Sequence, residues 1–166
     1  MKDRGVNDET IEKWRIGCVE NNWSDLYNDL KQLGFEDREI EEVGLIKKGD
    51  KGNYYDRFRG RIMFPIANAS EKIVGFTGRI LIPDDKQAKY VNSPETAFFS
   101  KSHILYGLHL AKTSIRKNNF SILVEGQFDA IMSHQIGYTN TVATSGTALT
   151  DDQLTQLARI SSRIVI

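Results

Sequence analysis

From Asn119 onward the chain alternates short apolar runs with amphipathic stretches, and that rhythm constrains the fold more than any other feature. FSILV at 120–124 reads as a short buried strand, and residues 125–137 read as a helix that Gly137 ends. TVAT at 141–144 is a second strand. Thr150 and Gln153 stand three apart, the spacing of a capping box, and open a helix predicted through Ile160. RIVI at 163–166 is a third strand. Parallel strands need crossover connections, so β-α-β-α-β predicts a parallel, Rossmann-like sheet with right-handed crossovers. The chain stops inside the last strand, and the sheet is expected to continue in a longer polypeptide.

The first two thirds follow a different grammar. Residues 8–43 read as three short acidic helices. Asp8 caps the first, with Ile11 and Trp14 on one face. Ser24 or Asp25 opens the second, which presents Leu26, Leu30 and Leu33 and stops at Gly34. The third runs over 36–43 and ends at Gly44. Nothing in this stretch looks chemical. After the turn-rich KKGDKG, RIMFPI at 61–66 and IVGFTGRILI at 73–82 read as a hairpin, with Pro65 marking an edge or a strand end. Residues 89–101 read largely as loop and 104–117 as a helix. The predicted organisation is an α+β subdomain over 1–117, then part of an α/β subdomain over 118–166.

Net charge is zero, yet the charges are unevenly spread. Residues 1–53 hold nine Lys/Arg against thirteen Asp/Glu, a net of −4. Residues 54–116 hold ten against five, a net of +5, and 117–166 carry −1. A local basic patch matters more for phosphate attraction than the sum, so the middle third is the candidate nucleic-acid surface. The alternative is that these cations face solvent or pair with the acidic first third. One cysteine, Cys18, excludes an internal disulfide framework and a Cys-rich zinc site, and is expected as a small core residue. No apolar run approaches a membrane span and the first ten residues lack a signal peptide's apolar stretch, so a cytoplasmic protein with no membrane partner is expected.

Open α/β sheets place sites at the carboxyl ends of their strands, and Glu125 stands there, followed by Gly126. Asp129 lies about one helical turn on, so both carboxylates can face one space. Two readings stay open. Carboxylates at a strand end can hold Mg²⁺ and, through it, phosphate. Equally, Glu125 can cap the following helix while Asp129 complements its dipole. Arg57, Arg59 and Arg61 alternate with Phe58, Gly60 and Ile62; in a strand they share one face and suit phosphate, or else they pair with Asp56 or Glu71. Lys89, Tyr90 and Asn92 offer a charge, a ring and an amide suited to single-stranded nucleic acid, unless Tyr90 only packs at an edge. His103, His109 and His134 lack metal-ligand spacing. Ser145, Gly146 and Thr147 form either a phosphate-cradling turn or an ordinary loop.

These residues carry a resemblance. YDRFRGRIMFPI at 55–66 resembles the YDRFRxRxMFPI motif of bacterial DNA primases of the DnaG type. VGFTGR at 74–79 is similar to that family's GFGGR, KYVNSPET at 89–96 to KYLNSPET, and LYGL at 105–108 to LYGL. VEGQFD at 124–129 matches the VEGxxD opening a TOPRIM domain, and GTALT at 146–150 its GTALT. Arg4, Gly5 and ETIE at 9–12 resemble RGLSxETIE. The resemblance spans essentially the whole chain, in order.

The resemblance implies a primase core that makes short RNA primers on single-stranded DNA from ribonucleoside triphosphates by metal-dependent nucleotidyl transfer. The fold it implies is a mixed subdomain with a basic groove followed by TOPRIM. It makes Glu125 the catalytic acidic residue and first ligand of Mg²⁺ or Mn²⁺, supported by Asp129. Arg4, Arg57, Arg59, Lys89, Tyr90, Asn92 and Lys101, with Arg79 as a further basic position, match places lining its template and nucleotide groove. Through the whole protein it implies a replicative helicase and single-strand binding protein as partners at the replication fork. Gln127 departs from the family's usual aromatic, with Phe128 next, and ATSGT at 143–147 replaces ASLGT. The DGDxAG aspartates are expected beyond Ile166, and no zinc is expected in these residues. The piece itself is therefore expected to bind single strands and to polymerise little or not at all.

Overall fold

The computed structural model describes residues 1–146 and 148–166, which form two compact units. One comprises 1–15, 66–74 and 100–166; the other comprises 16–65 and 75–99.

The first unit holds the parallel sheet. Strands β7 (Ser121–Val124), β8 (Thr141–Ala143) and β9 (Ile164–Val165) lie in the order β8-β7-β9. Ile122 stands opposite Thr141, and Ser121 opposite Ile164, all parallel as the alternation predicts. Helices α4 (Leu108–Asn118), α5 (Gln127–Gln135) and α6 (Asp151–Ala158) accompany them. Leu105, Leu108, Ala111, Ile115, Leu123, Val142 and Leu157 form the core. The capping box at α6 is complete: Thr150 Oγ1 accepts from Gln153 N, and Gln153 Oε1 accepts from Thr150 N, both at 3.2 Å. Gln153 is also fully buried and donates to the carbonyls of Lys101 and Ile104, so one residue starts α6 and anchors the loop before α4. The helix ends at Ala158, two residues short of expectation.

Helix α1 (Asp8–Lys13) starts from a different cap than expected. Asn7, not Asp8, accepts the Thr10 amide at 2.8 Å. Its register leaves Trp14 buried, stacked on Tyr106 at 5.2 Å and edge-on to His134 at 5.0 Å.

His134 is buried, and its Nε2 lies 2.8 Å from the Thr141 carbonyl, so the neutral ring donates there. Burial pushes its pKa below the usual histidine value, and burial does the same at half-buried His109. A depressed pKa means that the unfolded chain takes up protons more readily than the folded one. The stability these rings contribute is present above the ordinary histidine range and lost as pH falls through it. Melting curves are expected to drop between about pH 7 and pH 5, by about 2–4 °C per kcal/mol lost. His134→Gln should flatten that dependence; an unchanged slope in the variant overturns the assignment.

The second unit is mostly antiparallel. The stretch 8–43, read as three short helices, also includes a strand, β1 (Gly17–Val19), followed by helices α2 (Asp25–Gln32) and α3 (Asp37–Glu42). β1 exists because β4 (Arg61–Ala67) pairs with it, Gly17 opposite Met63. Three residues have no local signal for this; the partner some 45 residues away supplies it. Cys18 faces outward on β1 and is exposed, not in the core. Strands β2 (Ile46–Lys48) and β3 (Tyr54–Asp56) flank the expected turn as a hairpin. β4 and β5 (Ile73–Ile80) are neighbours, and β6 (Tyr90–Asn92) adds an antiparallel strand within the stretch read as loop, giving the order β1-β4-β5-β6. β4 is therefore not an edge, and Pro65 lies past the residues that β1 pairs, where its missing N–H costs no β1 bond. Among the described residues no helix is long and apolar enough to cross a membrane.

Candidate functional site

In the first unit a pocket of about 800 Å³ opens at the carboxyl ends of β7 and β8. Glu125, Asp129, Thr144 and Gly146 line it. Thr144 N donates to the Val124 carbonyl and Gly146 N to the Glu125 carbonyl, both at 3.2 Å, so the two strand ends are tied where the carboxylates emerge. Both carboxylates are exposed, and neither has an ion-pair partner among the described residues. A Cβ at Gly126 would lie 2.8 Å from Asp129 Oδ2. The absent side chain thus lets the Asp129 carboxylate fold back toward the strand end that carries Glu125. Two hard oxygen donors on one open pocket fit a Mg²⁺-type ion, which takes one or two carboxylates and leaves the rest to water and phosphate. No group of three or more such ligands occurs among the described residues. Thr147, the last residue of the Ser145–Gly146–Thr147 turn, lies outside the described residues.

Arg4 sits close to this helix. Gln135 on α5 accepts from Asn7 N at 2.9 Å and donates to the Gly5 carbonyl at 2.8 Å, which fastens the amino-terminal segment to α5. The Arg4 guanidinium then lies 5.4 Å from the ring of Phe128, the neighbour of Asp129. Lys101 is half-buried in the loop that Gln153 anchors and does not line the pocket.

The second unit separates the three arginines that alternation placed on one face. Residues 57–60 are not strand, so the ladder does not form. Phe58 is buried as a core side chain between Arg57 and Arg59. Arg61 is only 4% exposed, and its Nη1 donates to the carbonyls of Ala88 at 3.0 Å and Gly78 at 3.3 Å. It is a structural cation that ties the β5–β6 connection. Arg61→Met is expected to destabilise the chain by about 2 kcal/mol, because it takes the charged donor from the buried Gly78 carbonyl and the partly buried Ala88 carbonyl. Denaturant melts check this; stability unchanged within error would overturn the role.

Arg57 and Arg59 remain available. Neither pairs with the acids that sequence offered. The Asp56 carboxylate is buried and accepts from Leu26 N and Tyr27 N, both at 2.9 Å, which caps α2. Glu71 pairs with Lys112. Arg59 donates to the Asp56 carbonyl and lies over two rings, Trp23 at 4.2 Å and Tyr55 at 5.2 Å. Trp23 is itself 65% exposed. Arg57 is half-buried, its Nε without a partner, and burial lowers its pKa from the usual guanidinium range. Lys47 joins them: burial, then the charges of Arg57 and Arg59, push its ammonium below its usual value. A lysine crowded by two arginines, beside two rings, forms a site that an anion relieves. Sequence reading missed Lys47 and Trp23. Lys47 had only the IKK run as a signal, and its place opposite Tyr55 comes from the β2–β3 register.

The second group also assembles. Arg79 stands opposite Tyr90 and Thr77 opposite Asn92 in the β5–β6 register, which puts Arg79, Tyr90 and Asn92 on one face. The Arg79 guanidinium lies 5.6 Å from the Tyr90 ring, and Thr77 Oγ1 donates to Asn92 Oδ1 at 2.8 Å. Lys89 is exposed immediately before this strand.

Comparison with known proteins agrees with this architecture. The family described as DNA primase catalytic core, N-terminal domain, matches residues 1–112, and the Toprim domain family matches 119–166. The DNA primase of Clostridium acetobutylicum is 44% identical over 167 residues, covering 99% of this chain and 27% of the relative. Among solved structures, the RNA polymerase domain of Mycobacterium tuberculosis primase DnaG matches with a TM-score of 0.90 and 37% identity, over 96% of this chain and 52% of that one. A DnaG primase catalytic domain bound to single-stranded DNA matches with a TM-score of 0.87 and 35% identity, over 98% and 51%. The chain spans 27–29% of the length of such curated relatives. The expected fold class holds: an α+β portion is followed by a three-stranded parallel sheet in the stretch matched as Toprim. The chain belongs to the family of the bacterial DNA primase catalytic core, DnaG type.

Proposed function

We propose that this chain is part of the polymerase core of a DNA primase, which makes short RNA primers on single-stranded DNA for replication. The observation that carries this reading is the pairing of Glu125 and Asp129 on one open pocket at the end of β7, in a chain that belongs to the primase core family. Function divides near residue 117. The segment before it supplies cations and rings; the segment after it supplies carboxylates.

Glu125 is the catalytic acidic residue, and its carboxylate, supported by that of Asp129, would hold Mg²⁺ or Mn²⁺. When bound, such an ion neutralises developing charge on a triphosphate and its leaving group. Gly126 leaves Asp129 room to reach the same space as Glu125. Arg4 and Lys101 contribute positive charge in the same unit. In the second unit Arg57 and Arg59 bind template phosphates, while Arg79, Lys89, Tyr90 and Asn92 offer charge, a stacking ring and an amide to the strand. Whole-protein partners on this reading are ribonucleoside triphosphates, a replicative helicase and single-strand binding protein, at the cytoplasmic replication fork.

A second reading rests on Lys47, Arg57 and Arg59, which have no ion-pair partner among the described residues: the 166 residues alone grip single-stranded DNA and polymerise little. One experiment addresses both. The chain is titrated into a labelled single-stranded oligonucleotide across a salt series, and primer synthesis is assayed with the full-length polypeptide. Binding should weaken with salt, with a slope of about −0.7 per phosphate neutralised. Salt-independent or undetectable binding removes both readings. Binding without primer synthesis by the full-length polypeptide leaves only the second.

A further inference from the structure

Helices α2 and α3 border a groove of about 410 Å³ in the second unit. Leu30, Ile40 and Leu45 line it, together with Phe35, Val43 and Phe98. Ile40 is buried, but Phe35 is 46% and Phe98 66% exposed. Single exposed apolar residues are ordinary; several converging on one depression mark an interaction surface. The rim is acidic. Glu39 and Glu42 line the groove, and residues 25–45 carry seven Asp/Glu against two cations. Both cations are already engaged. Lys31 Nζ lies 2.9 Å from Asp37, and Arg38 Nε lies 2.7 Å from the rim's own Glu42, which leaves Glu39 and the segment's net charge of −5 to set the sign of the rim.

We propose that this groove docks a short amphipathic helix of a partner protein, one that presents large apolar side chains flanked by Lys or Arg. Charge decides among occupants. A nucleic-acid strand or an anionic membrane meets the same sign of charge. A second copy of this chain in a two-fold contact sets the acidic rim against itself. A cationic amphipathic helix satisfies both features at once, its apolar anchors in the groove and its charges on the rim. None of the residues lining this groove is among the cations and carboxylates of the proposed function, and the proposal does not rest on it.

The test uses the ¹⁵N-labelled 166-residue chain and a designed helical peptide of about 14 residues, long enough to span about four turns. The peptide carries Leu and Phe at helical spacing with lysines on the flanks; a control has glutamate in place of every lysine. The lysine peptide should shift the amides of Ile40, Val43 and Phe98. The glutamate peptide should bind at least about tenfold more weakly. Phe98→Ser, at an exposed position, and Glu42→Lys, on the rim, should each weaken binding about tenfold. Equal affinity for the two peptides, shifts away from the groove, or no binding below about 1 mM overturns the proposal. So does a dimer of the free chain that Phe98→Ser dissolves, which would assign the groove to a second copy.

Discussion

Replacing Glu125 with Gln in the full-length polypeptide is expected to cut primer synthesis by about 100-fold or more. Stabilisation of triphosphate charge at such a site amounts to several kcal/mol, and each 1.36 kcal/mol is a factor of ten in rate. Gln keeps the size of the side chain but removes the anionic donor. Glu125 is exposed at the pocket and carries no ion pair among the described residues, so the fold loses nothing and the melting temperature should not move. Two measurements separate the possibilities: primer yield against time, and Mg²⁺ or Mn²⁺ affinity by calorimetry. Undiminished synthesis rules out the catalytic assignment. Lost synthesis with unchanged metal affinity keeps Glu125 in the chemistry and moves the ligand role elsewhere.

The double replacement Arg57→Ala/Arg59→Ala is expected to weaken single-stranded DNA binding by about tenfold or more at moderate salt. Each lost phosphate contact removes about 0.7 from the slope of log affinity against log salt, so two contacts remove about 1.4. The slope matters more than the affinity, because a merely unfolded variant loses binding without a defined slope change. Burial holds Arg57 without a counter-charge and crowds Lys47 with both arginines. Removing the pair therefore relieves repulsion, and stability should hold or rise slightly. Trp23→Ala, which takes away the ring under Arg59, should weaken binding with little change in slope, since a ring neutralises no phosphate. An unchanged slope in the double variant refutes the assignment of these arginines to template phosphates.

Particular elements explain how much the sequence alone could convey. The β7-α5-β8-α6-β9 run was readable because its signals are local: buried strands as continuous apolar runs, helices with a capping box and a closing glycine. Glu125 and Asp129 followed from it, since a strand end and one helical turn set their spacing. β1, β2, β3 and β6 escaped a clear reading because each has three residues and owes its state to a partner. The arginine alternation misled for a related reason. A period of two describes a strand only where hydrogen-bonded neighbours exist, and residues 57–60 have left the strand.

Local residue patterns were enough for the order of elements around the parallel sheet, the spacing of the paired carboxylates and the basic middle third. Those features depend on residue types at short spacings, where backbone geometry leaves little choice. Which partner each cation meets is set by contacts that exist only in the folded chain. Arg61 meets carbonyls of 78 and 88 and becomes structural, while Arg57 and Arg59 find the Asp56 carboxylate already committed to α2 and have no ion-pair partner among the described residues. Lys47 enters the site through strand register, and Cys18 leaves the core because β1 turns it outward. Burial and pairing are set by neighbours distant in the chain, so no local pattern encodes them.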